Sequence, residues 1–206
     1  MVLLINWFCF SGIISVIFYL LHDIIGAKNY PRYNWLSQAV SDLTATDAPS
    51  FIKANGYLSL YKIFNCICCS FLCILIQNQS SEFLRIGIYF FATMNFISAI
   101  GYSLFPLSSS GYDGTFQSFV HVYIVTLLVV LLSIVSLILI AIGSVTGKEN
   151  HLYLGIIAIL SLVLMCVGAI GTGTVSKRYF GVFERFSTYS AVIFTGILGL
   201  YGLIVF

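Results

Sequence analysis

Charge is what this sequence has least of: 9 Lys and Arg and 7 Asp and Glu among 206 residues, or 8%. Roughly 25% is usual in a soluble domain, so a surface that faces water on all sides is excluded. The 60% of hydrophobic residues instead describe an integral, multi-pass membrane protein, with the cell membrane as its expected location. No basic patch interleaves with aromatic residues, which removes nucleic acid as a partner. The opening Met-Val-Leu-Leu-Ile has no basic run before it and no small-residue cleavage site after it, so the first apolar stretch is expected to remain as a span. Cysteine is not scarce, but four of six (Cys66, Cys68, Cys69, Cys73) crowd one apolar stretch, with Cys9 and Cys166 in two others. Zinc needs thiolates, and apolar surroundings disfavour the anion. These residues therefore read as small packing groups, and no metal is assigned.

Six apolar stretches reach the roughly 20 residues that cross a hydrocarbon core about 30 Å thick. They are residues 3–25, 54–76, 83–105, 118–143, 151–171 and 186–206. The predicted fold is all-α: a polytopic bundle of six transmembrane helices in a single membrane domain, 1–206, with a short interfacial helix in the first loop. An even number of spans puts both termini on one side. The long first, third and fifth loops (26–53, 106–117, 172–185) then share the other side, and the second and fourth (77–82, 144–150) are short turns. In the first loop the apolar positions Trp35, Leu36, Ala39, Val40 and Leu43 follow a helical period. Ser37 and Ser41 lie on the polar side of that helix, with Asp42 near its edge. Asp47-Ala48-Pro49 reads as the start of the next helix, Asp47 capping it. Six basic residues on the long-loop face, against Arg85 and Lys148 on the other, place that face in the cytoplasm if all of them are free to set topology. Recruitment of some to a site leaves the orientation open.

Ionisable groups near or within a bilayer mark a pathway or a site by default. Parity of the spans gathers them at the long-loop end. His22 and Asp23 close the first span, Asp42 ends the interfacial helix, His121 sits a turn into the fourth span, and Glu184-Arg185 open the sixth. Lys62, about two turns inside the second span, needs a partner there: Asp42, Glu184, a bound anion, or water reached by snorkelling. Each residue also has a plain structural reading, Asp42 as a cap or the partner of Arg185, His121 as an interfacial histidine. His151, Glu82, Arg85 and Glu149 read as interfacial or loop charges on the other face.

Ser41-Asp42-Leu43 followed by Ala48-Pro49, then Gly101 and Phe105-Pro106 leading to His121, and finally Gly181-Val182-Phe183-Glu184-Arg185-Phe186 resemble the domain of unknown function 998 family of six-span membrane proteins. The resemblance covers about three quarters of the chain, in order. It departs at Thr44, where members carry glycine. The family is similar in outline to six-span proteins of lipid remodelling, including the Golgi factor for GPI-anchor lipids, and has no established activity to carry over. The resemblance implies that Asp42, His121, Glu184 and Arg185 are the shared positions.

Three functions compete. In the first, a lipid or amphiphile is bound or modified at the interface, and any enzyme is a lipid-directed hydrolase or remodelling enzyme. Asp42, His121 and Glu184 activate water as acid and base or hold a metal, and Arg185 or Lys62 holds a phosphate or carboxylate headgroup. Ser41 or Ser37 serves as nucleophile if His121 reaches its hydroxyl, and His22 joins the binding set. The three histidines include no pair spaced along a late span, which separates this chain from ceramidase-type zinc hydrolases. The second function is a structural or accessory bundle. The third, a small-molecule or lipid transporter, lacks the internal repeats and midplane polar groups usual for one. Substrate, cofactor and oligomeric state are unspecified by the residues, although Gly196, Gly199 and Gly202 permit close helix packing within or between chains.

Overall fold

The computed structural model describes residues 5–79, 81–108, 112–147 and 151–206. Lys148 and Glu149, both assigned above to the fourth loop, lie outside the described residues. Six helices are long and apolar enough to cross a membrane: α1 (Asn6–Lys28), α2 (Phe51–Asn78), α3 (Glu82–Leu104), α4 (Phe116–Thr146), α5 (Leu152–Thr174) and α6 (Lys177–Val205). The protein is all-helical among its described residues and is an integral multi-pass membrane protein by helix length and composition. With 31 residues, α4 extends roughly 46 Å at 1.5 Å per residue, so its first turns, which carry His121, have length to spare beyond the hydrocarbon core.

Side-chain caps set two of the helix starts. Ser81 Oγ accepts the Leu84 N–H at 3.3 Å to open α3, and Thr115 Oγ1 accepts that of Ser118 at 3.1 Å to open α4. Each satisfies a donor that the first turn would otherwise leave orphaned. Helix α6 begins nine residues earlier than the 186 predicted, through a 3-10 turn Lys177–Tyr179 whose Arg178 N–H is bonded to Ser176 Oγ. Glu184 and Arg185 therefore lie inside the helix and not at its entrance.

Successive helices pack side by side, and α6 returns to α1, closing a ring. Phe91, Leu137, Met165, Phe194, Leu198 and Tyr201 fill its centre, with Phe91 of α3 edge-on to Phe194 of α6 at 5.2 Å. Lipid tails are as apolar as leucine, so association rests on close contact and interhelical hydrogen bonds. Asn65 of α2 donates to Asn95 of α3 at 2.8 Å within that core. At Gly143 of α4 an added Cβ would lie 2.1 Å from the Leu84 backbone N of α3. Gly196, Gly199 and Gly202 meet Val16, the Cys9 carbonyl and Leu72, so their stripe packs α6 on α1 and α2 within the chain.

The first loop departs from its predicted helix. Residues 34–38 form one turn closed on the Asn34 carbonyl, and a 3-10 turn, Ser41–Thr44, follows. A helix over 34–43 would bond the Ala39 and Val40 N–H groups to the Trp35 and Leu36 carbonyls. Here the Ala39 N–H goes to the Asp42 carboxylate at 3.1 Å and the Val40 N–H to that of Glu184 at 3.2 Å. The Trp35 and Gln38 carbonyls accept from Arg185, and that of Leu36 accepts the Val182 N–H. Side chains and α6 have taken over the bonds a helix needs. Asp47–Pro49 likewise forms a lead-in turn to α2, which starts at Phe51 with its N–H on the Ala48 carbonyl at 2.9 Å.

Candidate functional site

Two groups of polar side chains occupy the long-loop end. The first centres on Arg185, 9% exposed. Its Nε and Nη2 donate to the two carboxylate oxygens of Asp23 on α1, both at 2.9 Å. Nη2 also donates to Tyr33 Oη at 2.8 Å, and Nη1 points at the carbonyls of Trp35, Gln38 and Gly181 at 2.9, 3.1 and 3.0 Å. All five N–H groups of the guanidinium are engaged. The Tyr189 hydroxyl donates to Asp23 from the next turn of α6, and the Tyr33 hydroxyl donates in turn to the Ala39 carbonyl at 2.7 Å. Burial pushes the Tyr33 phenol above its usual range, so it acts as a hydrogen-bonding group throughout the physiological range.

Gly181 explains the spacing of this motif. One turn before Arg185, a Cβ there would sit 2.2 Å from the Gln38 carbonyl oxygen and 2.5 Å from that of Trp35. The same two carbonyls are therefore seated against Gly181 and held by Arg185. Glu184 completes the grip through Val40, and its other oxygen accepts from Thr188 at 3.3 Å. Asp42, 5% exposed, turns back on Ala39. Four of the predicted positions thus meet around residues 35–42, and Asp23, not Asp42, is the ion-pair partner of Arg185.

The second group holds His22, Lys62 and His121. His22 is 2% exposed, packs edge-on to Tyr19, and has no hydrogen-bond partner on either ring nitrogen among the described residues. Lys62 Nζ donates to Ser103 Oγ of α3 at 2.7 Å, and that hydroxyl bonds onward to the Ala99 carbonyl. The partners foreseen for Lys62, Asp42 and Glu184, are occupied elsewhere. His121 lies in a π-helical stretch, Val120–Val125. Its Nδ1 sits 2.6 Å from the Phe105 carbonyl, which makes Nδ1 the protonated nitrogen, and its ring lies against Tyr102 at 4.6 Å. Nε2 has no partner among the described residues. The Tyr19 ring, against His22, also meets those of Tyr61 on α2 and Tyr189 on α6, at 4.9 and 5.9 Å, which joins the two groups by contact.

Ser37 and Ser41 are not brought to His121. Ser37 Oγ reaches only its own turn, at 3.5 Å from the Asn34 carbonyl, and Ser41 offers its carbonyl to Thr44. The expected serine–histidine pair does not form. Arg185, expected to bind substrate, has its donors committed to the fold. Among the described residues no three His, Cys, Asp or Glu side chains are grouped to hold a metal, and the six cysteines are free thiols.

A family model described as a protein of unknown function, DUF998, matches residues 13–201. The chain belongs to the DUF998 family. No curated protein and no solved structure matches it. The family's motifs acquire a geometry here: Asp42, Glu184, Arg185 and Gly181 are the residues that fold the first loop onto α6. Thr44, where the resemblance leads one to expect glycine, has no left-handed backbone, since Arg32, at φ 65°, is the non-glycine with positive φ among the described residues. The turn at Thr44 therefore does not require glycine.

Sequence reasoning passed over two features. Asp113, in the third loop, accepts from Ser108, Thr115 and Ser118 and so fastens the start of α4. Those hydroxyls, Ser108 foremost, hold its carboxyl well below the usual carboxylate range. A run of Ser, Asp and Thr just before a helix is the signal that pointed to it. At the opposite end His151, read as an interfacial residue, is 8% exposed and packs with Gln79 Nε2 at 3.2 Å and the Tyr201 ring at 5.2 Å. Two shallow apolar grooves open on the outer surface. One, ≈ 320 Å³, is lined by Thr93, Phe96 and Ile100 of α3, and the other, ≈ 170 Å³, by Val130, Ile134, Met165, Cys166 and Ser187.

Proposed function

We propose that this protein binds a lipid or other amphiphile from the cell membrane at the polar end of the bundle, beneath the first loop, and presents it for modification. His22 carries the reading. An unbonded polar group in a buried site costs about 1–3 kcal/mol, and both nitrogens of a 2% exposed imidazole are left that way among the described residues. Such a group calls for a hydrogen-bond partner that the described residues do not supply. Apolar grooves on α3 and between α4, α5 and α6 suit the hydrocarbon portion of an amphiphile. His121 and Glu184 are the groups with the chemistry to move a proton, Asp42 supports the loop above them, and Arg185 acts as a positioning residue.

The competing reading, a structural or accessory bundle, draws on the full engagement of Arg185, which is what a purely structural cluster would show. Diazirine-bearing lipids, neutral and charged, separate the two. Saturable labelling of peptides around His22, Lys62 and His121, reduced in normally folded Asp42→Asn, His121→Gln or Glu184→Gln, supports the site. Non-saturable labelling spread evenly over the outer helix faces refutes it, as do three variants that label like the wild type.

A further inference from the structure

We infer that His22, Lys62 and His121 form a subsite for an anionic headgroup, a phosphate or carboxylate. The inference rests on the amphiphile reading and names the chemistry of its ligand. Charge is segregated at this end of the bundle. Three carboxylates packed into the bundle here are committed: Asp23 bidentate to Arg185, Glu184 to the Val40 N–H and the Thr188 hydroxyl, Asp42 to the Ala39 N–H. The cation-capable groups are not neutralised in return. Lys62 has three N–H donors, and its partner is a neutral hydroxyl, Ser103, with no carboxylate in salt-bridge range among the described residues. His22 has two unbonded nitrogens and His121 an unbonded Nε2 among the described residues.

The three side chains come from α1, α2 and α4 and are joined through their neighbours: His22 packs on Tyr19, whose ring meets that of Tyr61, next to Lys62, at 4.9 Å, and Lys62 reaches Ser103, next to the Tyr102 against which His121 lies. Lys62 keeps ammonium donors unused and neutral His22 can donate one N–H, while His121, whose N–H is bonded to Phe105, can donate from Nε2 once it is protonated. An anion supplies an acceptor for them, with charge-assisted hydrogen bonds of the stronger kind. A cationic headgroup would meet Lys62 without compensation. The π-helical stretch at Val120–Val125 fits the same picture, because such a bulge re-aims side chains and recurs at functional sites. Arg185, the obvious anion binder in the sequence, is excluded by saturation.

The test measures binding to the full chain in nanodiscs of phosphatidylcholine, with phosphatidic acid or inorganic phosphate as the added probe. Phosphatidic acid is expected to bind at least about tenfold more tightly than phosphatidylcholine, and Lys62→Gln to weaken it by about tenfold, the loss expected for one charge-assisted bond. Lys53→Gln removes the same charge from an exposed lysine bonded to Asn29 at the same end, and should leave binding unchanged. His22→Gln and His121→Gln should each weaken it as well. If the buried His22 variant fails to fold, Lys62→Gln at its half-buried position still decides. Stabilisation by inorganic phosphate alone, lost in Lys62→Gln, supports the subsite with a free anion as its source, whereas a requirement for phosphatidic acid assigns the headgroup. Saturable lipid binding indifferent to headgroup charge, or equal effects of Lys62→Gln and Lys53→Gln, overturns the subsite alone. Failure of every lipid and of phosphate to bind overturns it together with the amphiphile reading.

Discussion

Replacing Arg185 by alanine removes every bond that ties the first loop to α1 and α6 through its guanidinium. Asp23, 8% exposed, is left a buried carboxylate with the Tyr189 hydroxyl as its remaining donor, the Trp35 carbonyl loses its guanidinium donor, and that of Gln38 keeps only the Tyr33 hydroxyl at 3.3 Å. Removing one partner of a buried ion pair costs about 3–5 kcal/mol. Asp23→Asn is milder, because Arg185 keeps its bonds to Tyr33 and the backbone carbonyls, and the loss expected for one charged hydrogen-bonding partner is about 1.5–3 kcal/mol. The double variant carries no unpaired charge, so its loss should fall short of the sum of the two single losses by about 1–3 kcal/mol. Reversible unfolding in mixed micelles of increasing SDS content gives the free energies. Tryptic cleavage at Arg32, an exposed residue in the same loop, reports separately on whether the loop has lifted. Arg185→Ala that unfolds within about 0.5 kcal/mol of wild type, with Arg32 cut no faster, would refute the latch.

Two further outcomes follow from the same geometry. Gly181→Ala places a methyl against two backbone oxygens that cannot rotate away, and overpacking of this kind costs about 1–3 kcal/mol; faster cleavage at Arg32 with α-helical circular dichroism intact is the expected signature. Asp113 has a folded-state carboxyl held below its unfolded value, so its contribution is fully present above about pH 4 and is lost as the pH falls through the lower folded value. The stability difference between wild type and Asp113→Asn should therefore be constant from pH 5 to 8 and shrink in acid, and a difference that grows below pH 4 would contradict the assignment.

The spans were legible because lipid demands length and apolarity, both visible in one dimension, and parity then placed the ionisable groups at one end. The motif positions Asp42, Glu184 and Arg185 were legible as a cluster for the same reason. Their roles were not. Asp42 is expected either as a cap or as the partner of Arg185, whereas Asp23, at the end of α1, is the group its fork meets. The helix expected at 34–43 has the right period, but that period records which residues face the bundle, and the loop buries Ala39, Val40 and Leu43 without being helical. Propensity lost there because carboxylates and a guanidinium from elsewhere offered the backbone stronger partners than its own.

By itself the amino-acid sequence determined a six-helix membrane protein of the DUF998 family with its charges gathered at one end. Hydropathy, span length and the order of short motifs are local properties, and they need no knowledge of packing. Only the tertiary structure decided that Arg185 is consumed in holding the first loop, that Gly181 exists to let that loop approach, and that His22, two of the Lys62 donors and Nε2 of His121 have no partner among the described residues. Those distinctions depend on which donor meets which acceptor across helices far apart in the chain, and the ring closure of α6 on α1 is what brings them within reach.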